Sequence, residues 1–288
     1  MKVFLLLLMS NFILISAQAQ LPEGKKIERS LYLYDMHTRK STLLIRENRH
    51  FKAPNWAPNR IYLLLNSNGK IEKYSLKGEA LGTIYTGELS KNNNDHGISF
   101  DGNILFFSSG QNKIKTHSSS YWRGVSPDGE TIVYCAERNG NYDVYKMSAN
   151  GGEEIRPTTA EGLDDGPEYS PDGRYIYFNS FQTGKMQIWR MFTDDTHKEQ
   201  MTFDNYSNWF AHIAPHNQNA VPISYTEDQD QQHPFGKQVK LSLLDLATKE
   251  LSDLTPIFYD EPGTLNIPSW NLQWTQFLYV TYALKDQS

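Results

Sequence analysis

The chain has 288 residues, of which 39% are hydrophobic and 21% are charged, a balance typical of soluble globular proteins. Its 28 lysines and arginines against 33 aspartates and glutamates give a formal charge of −5. No basic stripe offsets this acidic excess, which argues against nucleic acid as a partner. The single cysteine, Cys135, cannot form an intramolecular disulfide, and no C-x-x-C pair exists for a structural zinc. Packing and backbone pairing must therefore hold the fold together.

The first twenty residues have the pattern of a secretory signal peptide. Lys2 precedes the apolar run at residues 3–9, and residues 17–19 form an Ala-Gln-Ala cleavage site before Gln20. A membrane anchor is the alternative, but a Ser-Asn pair interrupts an apolar stretch that is already short for a bilayer. No cysteine stands at the cleavage point for lipid attachment. We expect residues 1–19 to be removed and residues 20–288 to form one periplasmic or secreted domain without a membrane span.

Internal repeats follow along the chain. Ser-Pro-Asp-Gly occurs at residues 126–129 and 170–173, and a degenerate copy, Ser-Phe-Asp-Gly, occurs at residues 99–102. Weaker copies begin at Ala57 and Ala214, and Asn271 marks the last. The six starting positions are spaced by 42, 27, 44, 44 and 57 residues. A period in the low forties predicts four short strands per repeat. The tetrapeptide itself predicts a tight turn between two antiparallel strands, because proline presets φ and glycine accepts positive φ.

Six four-stranded units predict an all-β fold, a six-bladed β-propeller, which leaves no long open sheet edge. The last repeat offers only two strands, and two more candidates, residues 31–34 and 41–45, precede the first repeat. We therefore expect the last blade to be closed by strands from both termini. The 27-residue spacing predicts a reduced third blade around residues 108–121, in which residues 113–116 form a shortened outer part or leave the blade incomplete. The 57-residue spacing predicts a solvated loop at residues 227–234.

These repeats resemble those of the TolB-like β-propeller proteins. Four stretches narrow the resemblance to an exported subgroup, namely residues 137–140, 165–173, 208–212 and 263–270. The resemblance implies a six-bladed propeller in the periplasm, and protein binding more readily than a reaction. The chain departs from the pattern at residues 214–217 and 271–274, where the Asp-Gly turn is lost. It also shows no segment for the N-terminal α/β domain of the Tol-system TolB, which argues against a role in that outer-membrane complex.

In a propeller the strand before each turn is innermost, so residues three to six positions ahead of the turn converge on the central channel. Carboxylates, imidazoles, aromatic rings and an amide fall at or near these positions, with an arginine as a local cation. The predicted ligand-binding residues are Asp95, His96, Trp122, Arg138, Asp164, Asp165, Trp209, His212, His233 and Asn266. The alternative is structural, with the tryptophans packed between blades and the Asp and Asn side chains bonded to turn backbone.

Two functions follow from this set. The first is a monomeric, exported, non-catalytic propeller that binds a periplasmic or envelope protein, or an oligosaccharide, at the channel face. The second is a metal-dependent lyase of acidic oligosaccharides, similar to oligogalacturonate lyase, in which His96, His212 and His233 hold a divalent ion. No H-x-H or H-E-x-x-H spacing supports the ion, and no cofactor other than a metal is indicated. No G-x-S-x-G motif supports a serine hydrolase.

Overall fold

The computed structural model describes residues 2–3, 24–57, 61–88, 91–99, 102–109, 120–227, 229–234, 236–259, 264–265 and 269–286. The signal peptide beyond residues 2–3, the segment 113–116 and Asn266 lie outside these residues. Across the described ranges every assigned element is a strand, and no helix is long and apolar enough to cross a membrane. The strands are β1 Lys2–Val3, β2 Lys25–Asp35, β3 Lys40–Glu47, β4 Lys52–Trp56, β5 Leu63–Ser67, β6 Lys70–Tyr74, β7 Ala80–Thr83, β8 Asn92–Ile98, β9 Ile104–Ser109, β10 Ser120–Val125, β11 Thr131–Arg138, β12 Asn141–Ser148, β13 Asp164–Tyr169, β14 Tyr175–Ser180, β15 Gln187–Phe192, β16 Glu199–Gln200, β17 Ser207–Ile213, β18 Asn219–Tyr225, β19 Gln238–Asp245, β20 Leu251–Asp253, β21 Phe258–Tyr259 and β22 Gln276–Asp286.

The strands pair mainly with their neighbours in sequence. The smaller sheets run in the orders β4-β5-β6-β7, β1-β9-β8, β10-β11-β12 and β13-β14-β15-β16. The largest runs β17-β18-β19-β21-β22-β2-β3, and β20 also pairs with β19, at residues 242–244. The late strand β22 pairs antiparallel with the early strand β2 along its whole length, from Gln276 opposite Asp35 to Asp286 opposite Lys25. The two ends of the described chain are thus joined by main-chain hydrogen bonds.

The first strands of successive sheets lie side by side. β4 contacts β8, β8 contacts β10, β10 contacts β13, and β13 contacts β17. Later strands of each sheet follow outward from these, which is the radial arrangement of a β-propeller. The sequence prediction of an all-β propeller fold is confirmed at this level.

The Ser-Pro-Asp-Gly turns form as predicted. In both full copies the serine hydroxyl donates to the aspartate and accepts from the backbone of the following strand, and the glycine N–H donates to the serine carbonyl. The glycines have positive φ, 78° at Gly129 and 72° at Gly173. We call the end of the molecule that carries these turns the turn face. The opposite end, where the first strands begin, is called the loop face.

A threonine ties the outermost segment to the third strand in three sheets. The Thr158 hydroxyl accepts from Val144 N at 2.9 Å, Thr202 from Ile188 N at 2.9 Å, and Thr255 from Leu241 N at 3.0 Å. Apolar clusters fill the spaces between neighbouring sheets, and each fully buried leucine or phenylalanine contributes about 1.5–3 kcal/mol. Cys135 is buried and unpaired, as its single occurrence required.

Candidate functional site

A repeated β-bulge shapes the start of three first strands. The register shifts between Lys52 and Asn55 in β4, between Asp165 and Glu168 in β13, and between Trp209 and His212 in β17. Each shift spans the residues five and two positions before the first residue of the turn. The residue inside each bulge has positive φ, 53° at Ala53, 62° at Gly166 and 49° at Phe210. Because a bulge adds one residue and bends the strand, it redirects the side chains beside it.

The first strands of three sheets bring a buried ion triad together. Arg123 Nη1 donates to Asp95 Oδ1 at 2.6 Å, while its Nε and Nη2 donate to the two oxygens of Asp165 at 3.3 and 3.2 Å. All three side chains are almost fully buried. The triad therefore connects β8, β10 and β13, which belong to three successive sheets. Such a bidentate contact fixes both the distance and the orientation of its partners.

Electrostatics keep the triad ionised despite its burial. Burial opposes the charge on Asp165, but Arg123, His233 and the Gly166 N–H outweigh it, so the pKa of this carboxyl is lowered. Burial likewise opposes the charge on Arg123, and the two carboxylates raise its pKa above the ordinary value. The same burial raises the pKa of the neighbouring Cys135 thiol, which is therefore protonated at neutral pH.

A loop covers this triad. The Arg123 guanidinium lies 4.8 Å from the ring centre of Phe210, and His233 meets Trp209 and Phe210 edge-on at 4.9 and 5.4 Å. In the same loop the side chain of Gln231 accepts a 2.7 Å hydrogen bond from Leu163 N. We call Asp95, Arg123, Asp165, Phe210 and His233 the central cluster. The prediction of a solvated loop at residues 227–234 is wrong for Gln231 and His233, because both pack onto the sheets.

His212 belongs to a second buried network. Its Nδ1 lies 2.6 Å from Glu168 Oε2, and its Nε2 lies 3.0 Å from the carbonyl of Leu265. The other oxygen of Glu168 accepts from Ile213 N, and the indole of Trp270 donates to the His212 carbonyl at 3.0 Å. Both ring nitrogens thus face oxygen acceptors within the protein, and neither is left for a metal ion.

The remaining predicted residues are dispersed. Trp209 is completely buried in a core cluster, and His96 is also buried. Burial raises the pKa of Asp164 to about 6. Arg138 lies near the loop face, where it forms an ion pair with Glu154. The Trp122 side chain and Asn266 lie outside what the structure describes. No group of three potential metal-ligating side chains occurs among the described residues, so the three candidate histidines are not brought together there.

Sequence reasoning missed the residue that organises the central cluster. Arg123 lies three positions before the Ser126 turn, which is within the offset that predicts channel residues. Glu168, the partner of His212, lies two positions before its own turn, at the same relative place as His212. Charge complementarity between residues that lie two to five positions before the turns of neighbouring repeats was the signal that could have found both.

The radial sheets, the repeated turns and the shared bulges define a β-propeller assembled from sequence repeats. The family model for the TolB β-propeller domain matches residues 113–282. An uncharacterised protein of Agrobacterium fabrum is 38% identical over 277 residues, which cover 90% of this chain and 94% of that protein. The chain therefore belongs to the TolB β-propeller family.

Solved structures agree with this assignment. A protein from Agrobacterium tumefaciens, provisionally assigned as TolB, superimposes with a TM-score of 0.82 at 36% identity, covering 90% of this chain and 99% of that one. Oligogalacturonate lyase from Vibrio parahaemolyticus reaches a TM-score of 0.52 at 12% identity, covering 86% of this chain and 76% of that one. The second likeness shows a shared fold alone.

Proposed function

We propose that this protein is an exported, non-catalytic propeller that binds a protein of the cell envelope through its loop face. The observation that carries the proposal is the internal pairing of the central charges. Arg123 pairs with both Asp95 and Asp165 in a buried triad, and His212 is bonded on both sides. A general acid or base must reach its substrate, whereas these groups are engaged in holding neighbouring sheets together.

The proposal includes six blades. The eight-stranded sheet contains two of them, β17-β18-β19-β20 and a blade built from β22, β2 and β3, with β21 bridging the pair. An isolated bridge between Trp270 and Phe277 supplies the innermost part of the second. The long pairing of β22 with β2 supports closure by strands from both ends of the chain. A closed ring is rigid, which suits a surface that presents loops to a partner.

The loop face offers a suitable surface. The loop at residues 229–234 covers the central cluster, so a ligand would contact the loops and not the charged side chains beneath them. Exposed polar side chains surround it, including Asn139, Asp230 and Gln232. Such a broad polar rim fits a protein partner better than a small molecule.

Site-specific photo-crosslinking tests the proposal with a matched control. Asn139 and Asn150 are both exposed and lie just outside opposite ends of β12, on the loop face and the turn face respectively. A crosslinker at position 139, in the full chain expressed in its own envelope, should capture one defined envelope protein. The same group at position 150 should not capture it.

Capture from position 150 alone, or from neither position, contradicts the proposal. Release of unsaturated uronates from oligogalacturonate by the purified mature chain, with manganese supplied, would contradict the non-catalytic role. The mass of the exported protein checks cleavage before Gln20.

A further inference from the structure

Two turns on the turn face keep their shape without the usual glycine. The residues at the glycine place are Asn217 and Trp274, with φ of 59° and 54°. Each still donates its N–H to the first residue of the turn, to the Ala214 carbonyl at 2.8 Å and to the Asn271 carbonyl at 3.0 Å. A left-handed conformation costs a non-glycine residue about 1–2 kcal/mol, and short polar Asn tolerates it best. A tryptophan at this place is therefore strained by its position.

The strained tryptophan does not fill the core. Its side chain is 42% exposed, and its ring stacks on His216 at 4.3 Å with an interplanar angle of 19°. The ring of His37, in the turn between β2 and β3, lies 6.5 Å from the Trp274 ring and completes the group. Strain of this kind is retained where the side chain serves a function, because a glycine would satisfy the turn at lower cost. We call Trp274, His216 and His37 the aromatic platform.

A polar cleft lies beside the turn at residues 214–217, which carries His216. It has a volume of about 310 Å³ and lies between the turn that follows β13 and the turn that follows β17. Asn217 lines the cleft, and it directly follows His216, which belongs to the platform. The lining residues are Ser170, Asp172, Arg174, Tyr175, Tyr177, Arg190, Asn217, Gln218, Asp245, Leu246 and Ala247. The volume matches the lower range of small-ligand sites.

The chemistry of the cleft selects a ligand class. Its lining contains two cations and two anions, so the site has no excess charge. Asp172 and Asp245 each accept amide hydrogens of their own turns, and Arg190 is held by Glu199. Arg174 has the ring of Tyr175 as its contact and forms no ion pair within the described residues. The Gln218 side-chain amide likewise has no described hydrogen-bond partner.

We infer that this surface of the turn face binds a neutral saccharide through the aromatic platform and the cleft. Sugar hydroxyls both donate and accept, which suits a lining that mixes guanidinium, amide and carboxylate groups. The apolar face of a pyranose suits an exposed indole. The site lies on the turn face, so it is independent of the protein partner proposed for the loop face.

Ligand-observed NMR tests the inference with maltotriose, cellotriose and chitotriose as neutral probes and trigalacturonate as the acidic probe. The mature chain should bind at least one neutral probe more tightly than the acidic one. Trp274→Ala and Gln218→Ala should each weaken that binding at least tenfold. Leu272→Ala, at an exposed residue of the same turn, should leave it unchanged.

The thermal stability of Trp274→Gly separates binding from folding. Relief of the left-handed strain should hold or raise the melting temperature while saccharide binding is lost. A fall in melting temperature would show that the ring is structural and overturn the inference. Binding of none of the neutral probes at millimolar concentration, or preference for trigalacturonate, would also overturn it.

Discussion

Replacing Arg123 by leucine removes the cation shared by Asp95 and Asp165. Both carboxylates then lose the guanidinium that pairs with them while they stay buried, because the three side chains are almost fully covered in the folded protein. Removing one partner of a buried ion pair costs about 3–5 kcal/mol. At 2–4 °C per kcal/mol for a domain of this size, the melting temperature should fall by roughly 6–20 °C.

The loss of stability in Arg123→Leu should depend on pH in a defined direction. In the wild type the pKa of Asp165 is lowered in the fold, so its stabilisation is present at neutral pH and lost as pH falls through that pKa. In Arg123→Leu the Asp165 carboxylate loses its main cationic partner, so burial, which acts to raise its pKa, should dominate in the folded variant. Protonation then favours the folded variant. The difference in unfolding free energy between wild type and variant should therefore shrink between pH 7 and pH 5.

Urea unfolding at these two pH values, followed by tryptophan fluorescence, measures the difference. The triple variant Asp95→Asn, Arg123→Leu, Asp165→Asn removes all three charges and should recover most of the loss. Lys25→Ala breaks an exposed pair with Asp286 and should change stability by less than about 1 kcal/mol. A loss below about 1 kcal/mol in Arg123→Leu, or a triple variant as unstable as the single one, would refute this account of the triad.

Three further predictions follow from the same strands. Gly166→Ala should lower the free energy of unfolding in urea by about 2–4 kcal/mol, because the new Cβ would lie 2.5 Å from Asn179 Oδ1. At Gly129 a Cβ would meet no atom within 4 Å, so Gly129→Ala should lower it by only about 1 kcal/mol. Asp164→Asn should stabilise the fold at pH 7 by up to about 2–3 kcal/mol. Burial raises the pKa of Asp164 to about 6, so its ionisation opposes folding above that pH. Melting temperatures that vary equally with pH in both proteins would contradict this. His212→Ala should lower the free energy of unfolding by about 2–4 kcal/mol in thermal unfolding, because it breaks a buried hydrogen-bond network. Dialysis against EDTA should leave the wild-type melting temperature unchanged. A fall in melting temperature on chelation would show a metal site.

The repeat pattern was readable from the sequence because its determinants are local. Ser126 and Ser170 bond to the aspartate two residues later and to the following strand, so four adjacent residues specify the turn by themselves. The degenerate turns were harder to interpret. Asn217 and Trp274 adopt the left-handed conformation that the missing glycine would have taken, and no local rule favours tryptophan there.

The candidate site depended on contacts across sheets. The offset rule placed Asp95, Asp165 and His212 near the centre, but it could not say which charges would meet. Arg123 joins two aspartates that lie 28 residues before it and 42 residues after it. The packing of His233 on Trp209 and Phe210 depends on the same kind of long-range contact. The polar sequence of its loop does not indicate that these aromatic rings lie beneath it.

An all-β chain, the positions of its turns and the strands that flank them follow from local patterns, because hydrophobic alternation and turn chemistry act over a few residues. The other features depend on contacts between distant parts of the chain. The fold paired β22 with β2, buried the triad around Arg123, and stacked the exposed Trp274 on His216. Burial and the pairing of charges are properties of neighbours in space, and the fold alone sets which residues become neighbours.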